Sequence, residues 1–196
     1  PEAFFTYLKV SLLAGLLQAA GAEAVCLPAV EIVPPASWAE LDAAIAALAA
    51  TDYLILTSAN GVAAFFDRLS AAGLDGRALH GVNIVAVGPK TAAAIAEHGL
   101  RADLIPPRQQ AEGIVELLQQ RDLAGKRILY PRSASARDLL CAELSKAGAT
   151  VRAPVAYRTQ PAANDAARLQ ELLAGDQLDA ATFTSASTVE HCLALL

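Results

Sequence analysis

Short apolar runs alternate with stretches of helical periodicity along almost the whole chain. The runs Ala24–Leu27, Tyr53–Thr57, Val82–Val87, Ala102–Ile105, Arg127–Tyr130, Thr150–Ala153 and Ala180–Phe183 predict strands. Between them the pattern predicts helices over Ala3–Ala20, Ser37–Ala50, Asn60–Ala72, Pro89–Gly99, Glu112–Gln120, Ala136–Ala147, Asp165–Ala174 and Thr188–Leu196. Ser37-Trp38-Ala39-Glu40 reads as a capping box, after which Leu41, Ile45 and Leu48 fall on one helical face. Pro89 suits a first helical turn, where its missing N–H costs nothing. Strands that read as continuous apolar runs are covered on both faces, which implies parallel sheets with helices on either side. The predicted fold class is α/β, doubly wound.

The pattern repeats. Asp52-Tyr53-Leu54-Ile55-Leu56-Thr57-Ser58-Ala59-Asn60-Gly61-Val62 recurs as Asp179-Ala180-Ala181-Thr182-Phe183-Thr184-Ser185-Ala186-Ser187-Thr188-Val189, an offset of 127 positions. The same offset relates Leu12, Leu13, Leu17 and Gly21 to Leu139, Leu140, Leu144 and Gly148, and Pro34 to Pro161. Solenoid units repeat every ~20–50 residues, so a longer period indicates a duplicated domain. Two related halves facing one another would create a cleft with similar chemistry on both walls. Relative to the first copy, the second lacks two strand–helix units, and the start lacks a strand before Pro1. The expectation is part of a longer chain, of about 250 residues by repeat arithmetic.

The extended stretches Val30–Val33 and Val155–Thr159 occupy corresponding places in the two copies, and each runs into a proline. They read as crossovers between two pseudo-symmetric doubly wound parallel-sheet domains. One domain is continuous over residues 35–154. The other joins residues 1–29 to 161–196, and segments 30–34 and 155–160 form a two-stranded connector.

Composition narrows the functions. The net charge is −5 and no Lys/Arg cluster offsets it, which argues against nonspecific nucleic-acid binding. An anionic small molecule remains compatible, because backbone amides bind anions without net positive charge. Cys26, Cys141 and Cys192 are odd in number and widely spaced, fitting small buried hydrophobes better than a disulfide framework or metal site. Lys9 and the apolar run after it mimic a signal peptide. The repeat partner of that segment, Leu139–Ala149, carries Glu143 and Lys146 as an amphipathic helix would, so the N-terminal piece reads as the same helix. No run reaches the ~18 apolar residues of a membrane span, and the expectation is a soluble cytoplasmic protein.

In doubly wound sheets ligands bind beyond the carboxyl ends of the strands, at helix N-termini. Four such places stand out: Thr57–Gly61, Gly88–Thr91, Pro131–Ser135 and Thr184–Ser187. Each offers hydroxyls beside backbone N–H groups, a pattern that serves either plain N-capping or an anion cleft. No Gly-x-Gly-x-x-Gly or Walker-type loop exists, which disfavours dinucleotide and NTP chemistry. His80, His98 and His191 lack metal-ligand spacing, and His98 reads as a helix-end residue. Lys90 near a helix start serves either a ligand or the solvated surface. Tyr157, on a connector, either packs the hinge or supplies a phenol that donates a proton or hydrogen bond to a bound ligand.

Taken in order, several segments resemble the uroporphyrinogen-III synthase family: Leu56–Val62, Val85–Ala92, Tyr130-Pro131-Arg132-Ser133, Val155–Thr159 and Phe183-Thr184-Ser185-Ala186-Ser187. The resemblance covers nearly the whole chain and rests on order and spacing together. It implies two α/β domains joined by a two-stranded ladder, and cyclisation of hydroxymethylbilane to uroporphyrinogen III with ring D inversion and loss of water. The enzyme would be a cofactor-independent lyase with no metal, acting as a monomer that receives substrate from the preceding pathway enzyme. The family's connector tyrosine falls on Tyr157, implied as the catalytic acid. Implied substrate contacts are Thr57, Ser58, Asn60, Gly61 and Val62 in the first loop, and Gly88, Lys90 and Thr91 in the second. Arg132 and Ser133 belong to the third, Thr184 and Ser185 to the fourth. The Thr-Arg-Pro start typical of the family is missing except for Pro1, as is the second-copy Gly-Pro-Thr-Thr-like loop. The alternative from a different class is a non-catalytic two-domain binding protein for an anionic small molecule.

Overall fold

The computed structural model describes residues 13–27, 30–161, 166–175, 178–183, 189 and 192–193. By compactness the chain divides into two units, residues 34–158 and residues 1–33 with 159–196.

The first of these units is built on a four-stranded parallel sheet. Strands β2 (Tyr53–Leu56), β3 (Asn83–Ala86), β4 (Arg127–Leu129) and β6 (Thr150–Arg152) lie in the order β3-β2-β4-β6. Every pairing in it is parallel, with Leu56 opposite Ala86, Leu54 opposite Leu129, and Leu129 opposite Arg152. Helices α2 (Ala39–Ala46), α3 (Ala59–Ala71), α4 (Pro89–Glu97), α5 (Ala111–Gln119) and α6 (Leu139–Lys146) cover it.

Alternation along the strands sorts two cores. Leu54 and Leu56 with Ile84, Ala86 and Leu129 pack against Leu41, Ile45, Phe65, Leu69 and Ile95 from α2, α3 and α4. Tyr53 and Ile55 with Val85 and Ile128 pack against Ile114, Leu118, Leu140 and Leu144 from α5 and α6. Successive strand side chains point to opposite faces, so a strand buried on both must be apolar throughout. All of Tyr53–Leu56 is buried.

A second sheet has the order β1-β7-β5, with β1 at Val30–Val33, β7 at Val155–Pro161 and β5 at Arg132–Ser133. β5 and β7 run parallel. In the unit comprising 1–33 and 159–196, residues 13–19 are helical (α1) and α7 spans Ala166–Ala174.

Several expectations are corrected. Ser37 does not cap α2: its Oγ accepts from Ala39 N at 3.2 Å, and the cap residue is Trp38 in an αR conformation with no side-chain capping bond. Trp38 instead lies under the Arg68 guanidinium, 5.2 Å from its ring centre, while Arg68 holds Asp42 through two bonds of 2.8 and 2.7 Å. The helix then tightens to a 3-10 turn at Leu48–Ala50. Residues 102–105 form one bridge, Val85 with Leu104, rather than a strand. There the Ile84 carbonyl accepts from both Asp103 N and Leu104 N, and the Asp103 carboxylate takes Ile84 N at 2.7 Å, which breaks the ladder. Residues 24–27 and 180–183 are irregular, without a sheet partner among the described residues. Pro131–Ser135 is not a helix start, because Arg132 and Ser133 pair with β7 and α6 begins only at Leu139. The cysteines are free, but Cys26 is exposed and Cys141 and Cys192 are half-buried. The helix expected at 188–196 falls mostly outside the described residues.

Two details hold the sheet and its loops. Asp52 ties the amino ends of three strands: its N–H reaches Arg127 O, its carbonyl accepts from Asn83 N at 2.9 Å, and its carboxylate accepts from Arg127 N at 2.8 Å. The backbone N–H of Arg127, assisted by Lys126, holds the Asp52 carboxyl below its ordinary value of 3.8. In α5, Gly113 packs on the loop before the helix, where an added Cβ would stand 2.1 Å from the Arg108 carbonyl oxygen.

Gly113→Ala is therefore expected to destabilise the chain by roughly 1–3 kcal/mol, as overpacking does, read as a lower urea midpoint at unchanged slope. Asp52 binds its proton more weakly in the folded state, so its contribution to stability is complete above pH 3.8 and disappears as pH falls through the lower folded value. Thermal melts of Asp52→Asn and the parent should differ near neutrality and converge in acid below 3.8.

Candidate active site

Because β2, β3 and β4 are parallel, their carboxyl ends open on one edge of the sheet. From that edge come Thr57 and Ser58 after β2, Val87 and Gly88 after β3, and Tyr130 and Pro131 after β4. The ladder carries on past the strand ends: Val87 N donates to Leu56 O at 3.0 Å and Tyr130 N to Arg152 O at 2.8 Å. Arg132 N then reaches Pro154 O and Ala134 N reaches Tyr157 O, both at 3.0 Å, which places the connector residue Tyr157 beside this edge.

The centre of the arrangement is Ser58. It caps α3 in an extended conformation, its Oγ accepting from Gly61 N at 3.0 Å. The same Oγ lies 3.0 Å from the Tyr157 hydroxyl. Gly61 permits this closeness, since an added Cβ would stand 3.2 Å from Ser58 Oγ, 3.6 Å from Pro131 O and 3.9 Å from Tyr157 Cε1. With Gly61 N satisfied, the first turn of α3 leaves the amides of Ala59 and Asn60 without intrahelical partners.

α4 starts differently. Gly88 caps it without a side chain and Pro89 has no N–H, so the free amides are those of Lys90 and Thr91. Gln109 packs across Gly88, where a Cβ would meet its Cγ and Oε1 at 3.0 Å. Both helix starts thus present backbone donors at the positive end of a helix dipole.

The third loop supplies the cation. Arg132 pairs with Asp138, which raises its pKa further, and its side chain is 17% exposed against 80% for Asp138. Arg132 Nε is buried with no partner among the described residues. Beside it Tyr130 is 4% exposed. Burial pushes that phenol up, opposed by a hydrogen bond with the Thr57 side chain and by the Arg132 charge.

The structure thus brings Thr57, Ser58, Asn60, Gly61, Gly88, Lys90, Thr91, Arg132, Ser133 and Tyr157 to one strand-end edge. Some of these do so only through their backbone. Val62 is 1% exposed with its amide bonded to Ser58 O, so its side chain is core and its N–H is used. Thr91 is 4% exposed, while Lys90 is exposed. Ser133 Oγ closes its own turn, 3.0 Å from Ser135 Oγ and accepting from Ser135 N at 3.3 Å. Thr184 and Ser185 lie outside the described residues. Tyr130, Gln109 and Asp138 were missed as site residues. The strand-end position of Tyr130 was a usable signal, whereas Gln109 and Asp138 carry none in sequence. His98 ends α4 and stacks on Phe66, ring centres 4.0 Å apart, remote in role from the strand ends. Among the described residues no group of His, Cys, Asp and Glu is placed to hold a metal.

The HEM4 family model, uroporphyrinogen-III synthase HemD, matches residues 11–196. The chain belongs to the uroporphyrinogen-III synthase family. It is 39% identical over 184 residues to the uroporphyrinogen-III synthase of Synechococcus elongatus, covering 93% of this chain and 69% of that one. It is 32% identical over 182 residues to the porphyrin biosynthesis protein HemD of Ruminiclostridium josui, covering 91% of this chain and 35% of that one. A mutant uroporphyrinogen III synthase from the extremely thermophilic bacterium Thermus thermophilus shares the fold, with a TM-score of 0.64 at 24% identity over 95% of this chain and 73% of that chain. The resemblance read from the motifs is borne out, as is the α/β parallel-sheet class. Uroporphyrinogen-III synthase is a cyclising lyase of tetrapyrrole biosynthesis.

For this synthase, Gly61→Ala is expected to displace Ser58 from Tyr157 and lower turnover roughly tenfold, since small misplacements are costly in an oriented site. The check is kcat on hydroxymethylbilane beside a melting curve that shows the protein still folded.

Proposed function

We propose that the strand-end edge of the four-stranded sheet performs the cyclisation, with Tyr157 as the acid and the starts of α3 and α4 as the carboxylate cradle. The observation that carries this reading is the Tyr157 hydroxyl held 3.0 Å from Ser58 Oγ, beside helix starts with unpaired amides.

The chemistry asks for little else. Loss of the hydroxymethyl oxygen as water leaves a cationic azafulvene, so a proton donor at that oxygen lowers the first barrier. The pyrroles are electron-rich and form the new bonds themselves. What the protein adds is orientation, folding the bilane so that the substituted carbon of ring D attacks first and a spiro intermediate forms. The bilane carries carboxylates along its length. The amides of Ala59, Asn60, Lys90 and Thr91, with the Arg132 guanidinium, suit those groups although the chain is acidic overall.

In the same reading the chain forms two α/β domains, residues 35–154 and residues 1–29 with 161–196, joined by 30–34 and 155–160. The division into units at residues 33/34 and 158/159 supports those boundaries. Thr184 and Ser185 would serve as the repeat counterparts of Thr57 and Ser58. The enzyme works without a cofactor, as a cytoplasmic monomer that takes its small-molecule tetrapyrrole from the enzyme producing it. Among the described residues no helix is long and apolar enough to cross a membrane.

Tyr157→Phe is expected to lower kcat by roughly 10²–10⁴ with KM nearly unchanged, the usual worth of a positioned acid. Hydroxymethylbilane is supplied to the protein and to the variant, and the type I and type III isomers are separated. An undiminished yield of type III from Tyr157→Phe would remove the proposed acid.

A further inference from the structure

We propose that Ser58 is a positioning residue for Tyr157, its hydroxyl donating to the phenol oxygen so that the phenolic proton is directed to the leaving group. This rests on Tyr157 as the acid and adds a named second partner to it.

Capping α3 requires only one contact of Ser58, the bond that Oγ accepts from Gly61 N at 3.0 Å. The second contact, 3.0 Å to the hydroxyl of a residue 99 positions away, is not needed for that task. A serine hydroxyl has one proton and two acceptor sites. Gly61 N–H occupies one acceptor site, which leaves two ways to share a proton with Tyr157. If Tyr157 donated to Ser58, the phenol would have no proton left for substrate. If Ser58 donates, the phenolic proton is free and a lone pair of the phenol is already occupied.

Two features favour the second arrangement. The Gly61 N–H draws density from Oγ and makes Ser58 a better donor, as hydrogen bonds in series do. The positive end of α3 also favours negative charge arriving on the far side of that hydroxyl. Glycine at position 61 keeps the three groups close, because a Cβ there would stand 3.2 Å from Ser58 Oγ.

The proton count closes on this chain of groups. The Tyr157 proton moves to the hydroxymethyl oxygen. The C–O bond breaks with its electron pair on that oxygen, and water departs. Ser58 O–H holds the phenolate while the cationic azafulvene is attacked. The proton released from the ring D carbon that finally closes the macrocycle restores the phenol.

The test is a set of variants assayed on hydroxymethylbilane for kcat and KM, with melting curves. Ser58→Ala and Ser58→Gly both remove the hydroxyl, but glycine is nearly as good a helix cap as serine, whereas alanine is poor. Both should lose kcat by a similar factor, about tenfold or more, with KM within about twofold, although only Ser58→Ala melts lower. Ser58→Thr keeps the hydroxyl and the cap and should stay within about threefold of the parent. In the Tyr157→Phe background, Ser58→Ala should cost no more than about twofold, because residues acting through one group are not additive. Full additivity in that cycle would overturn the proposal and leave Ser58 acting on its own. A raised KM at unchanged kcat would overturn it in favour of a substrate contact. If Tyr157→Phe itself leaves kcat intact, the acid reading fails first and the role of Ser58 falls with it.

Discussion

The parallel pairing of β2 with both β3 and β4 is the constraint on which the rest depends. Parallel strands deliver their carboxyl ends to one edge, and each end here turns directly into a loop that bears polar groups. The pairing is maintained by apolar side chains on both faces of the sheet, Leu54 and Leu56 on one and Tyr53 and Ile55 on the other. Asp52 fixes the opposite end of the same strands. A shift of β2 by one residue would exchange its two faces and carry Ser58 away from Tyr157.

In the proposed reading the backbone does much of the recognition at that edge. On that reading, an acidic chain acting on a polyanionic substrate looks contradictory if charge is counted residue by residue. The contradiction disappears once the unpaired amides at the starts of α3 and α4 are counted as donors. Pro89 contributes by omission, having no N–H to occupy the α4 start, and Gly88 by leaving room for Gln109. Ser58 links the two features, because one oxygen both caps the start of α3 and meets the Tyr157 hydroxyl.

Much of this was legible in the chain itself. Continuous apolar runs announced the central strands, and their ends fall within a residue or so of the expected positions at Tyr53, Arg127 and Thr150. The places where the reading failed share a cause. Residues 102–105 have the composition of a strand, but the Asp103 carboxylate takes the amide that a ladder would use. Ser37-Trp38-Ala39-Glu40 has the capping pattern, but Trp38 packs against Arg68 and the turn shifts by one residue. In each case a side chain distant in sequence, or one turn away, outcompeted the local preference.

The amino-acid sequence by itself determined the class of fold, the strand-end location of the polar loops after β2 and β3, and the family, because all three are written in periodicity and in short local motifs. Tertiary structure alone decided that Val62 is core, that Arg132 is shared with Asp138, that Tyr130 is a buried phenol and that Ser58 meets Tyr157 across 99 positions. The physical reason is range. Capping and amphipathicity act over one helical turn and can be read in order, whereas a hydrogen bond between remote hydroxyls exists only after the strands that carry them have been aligned.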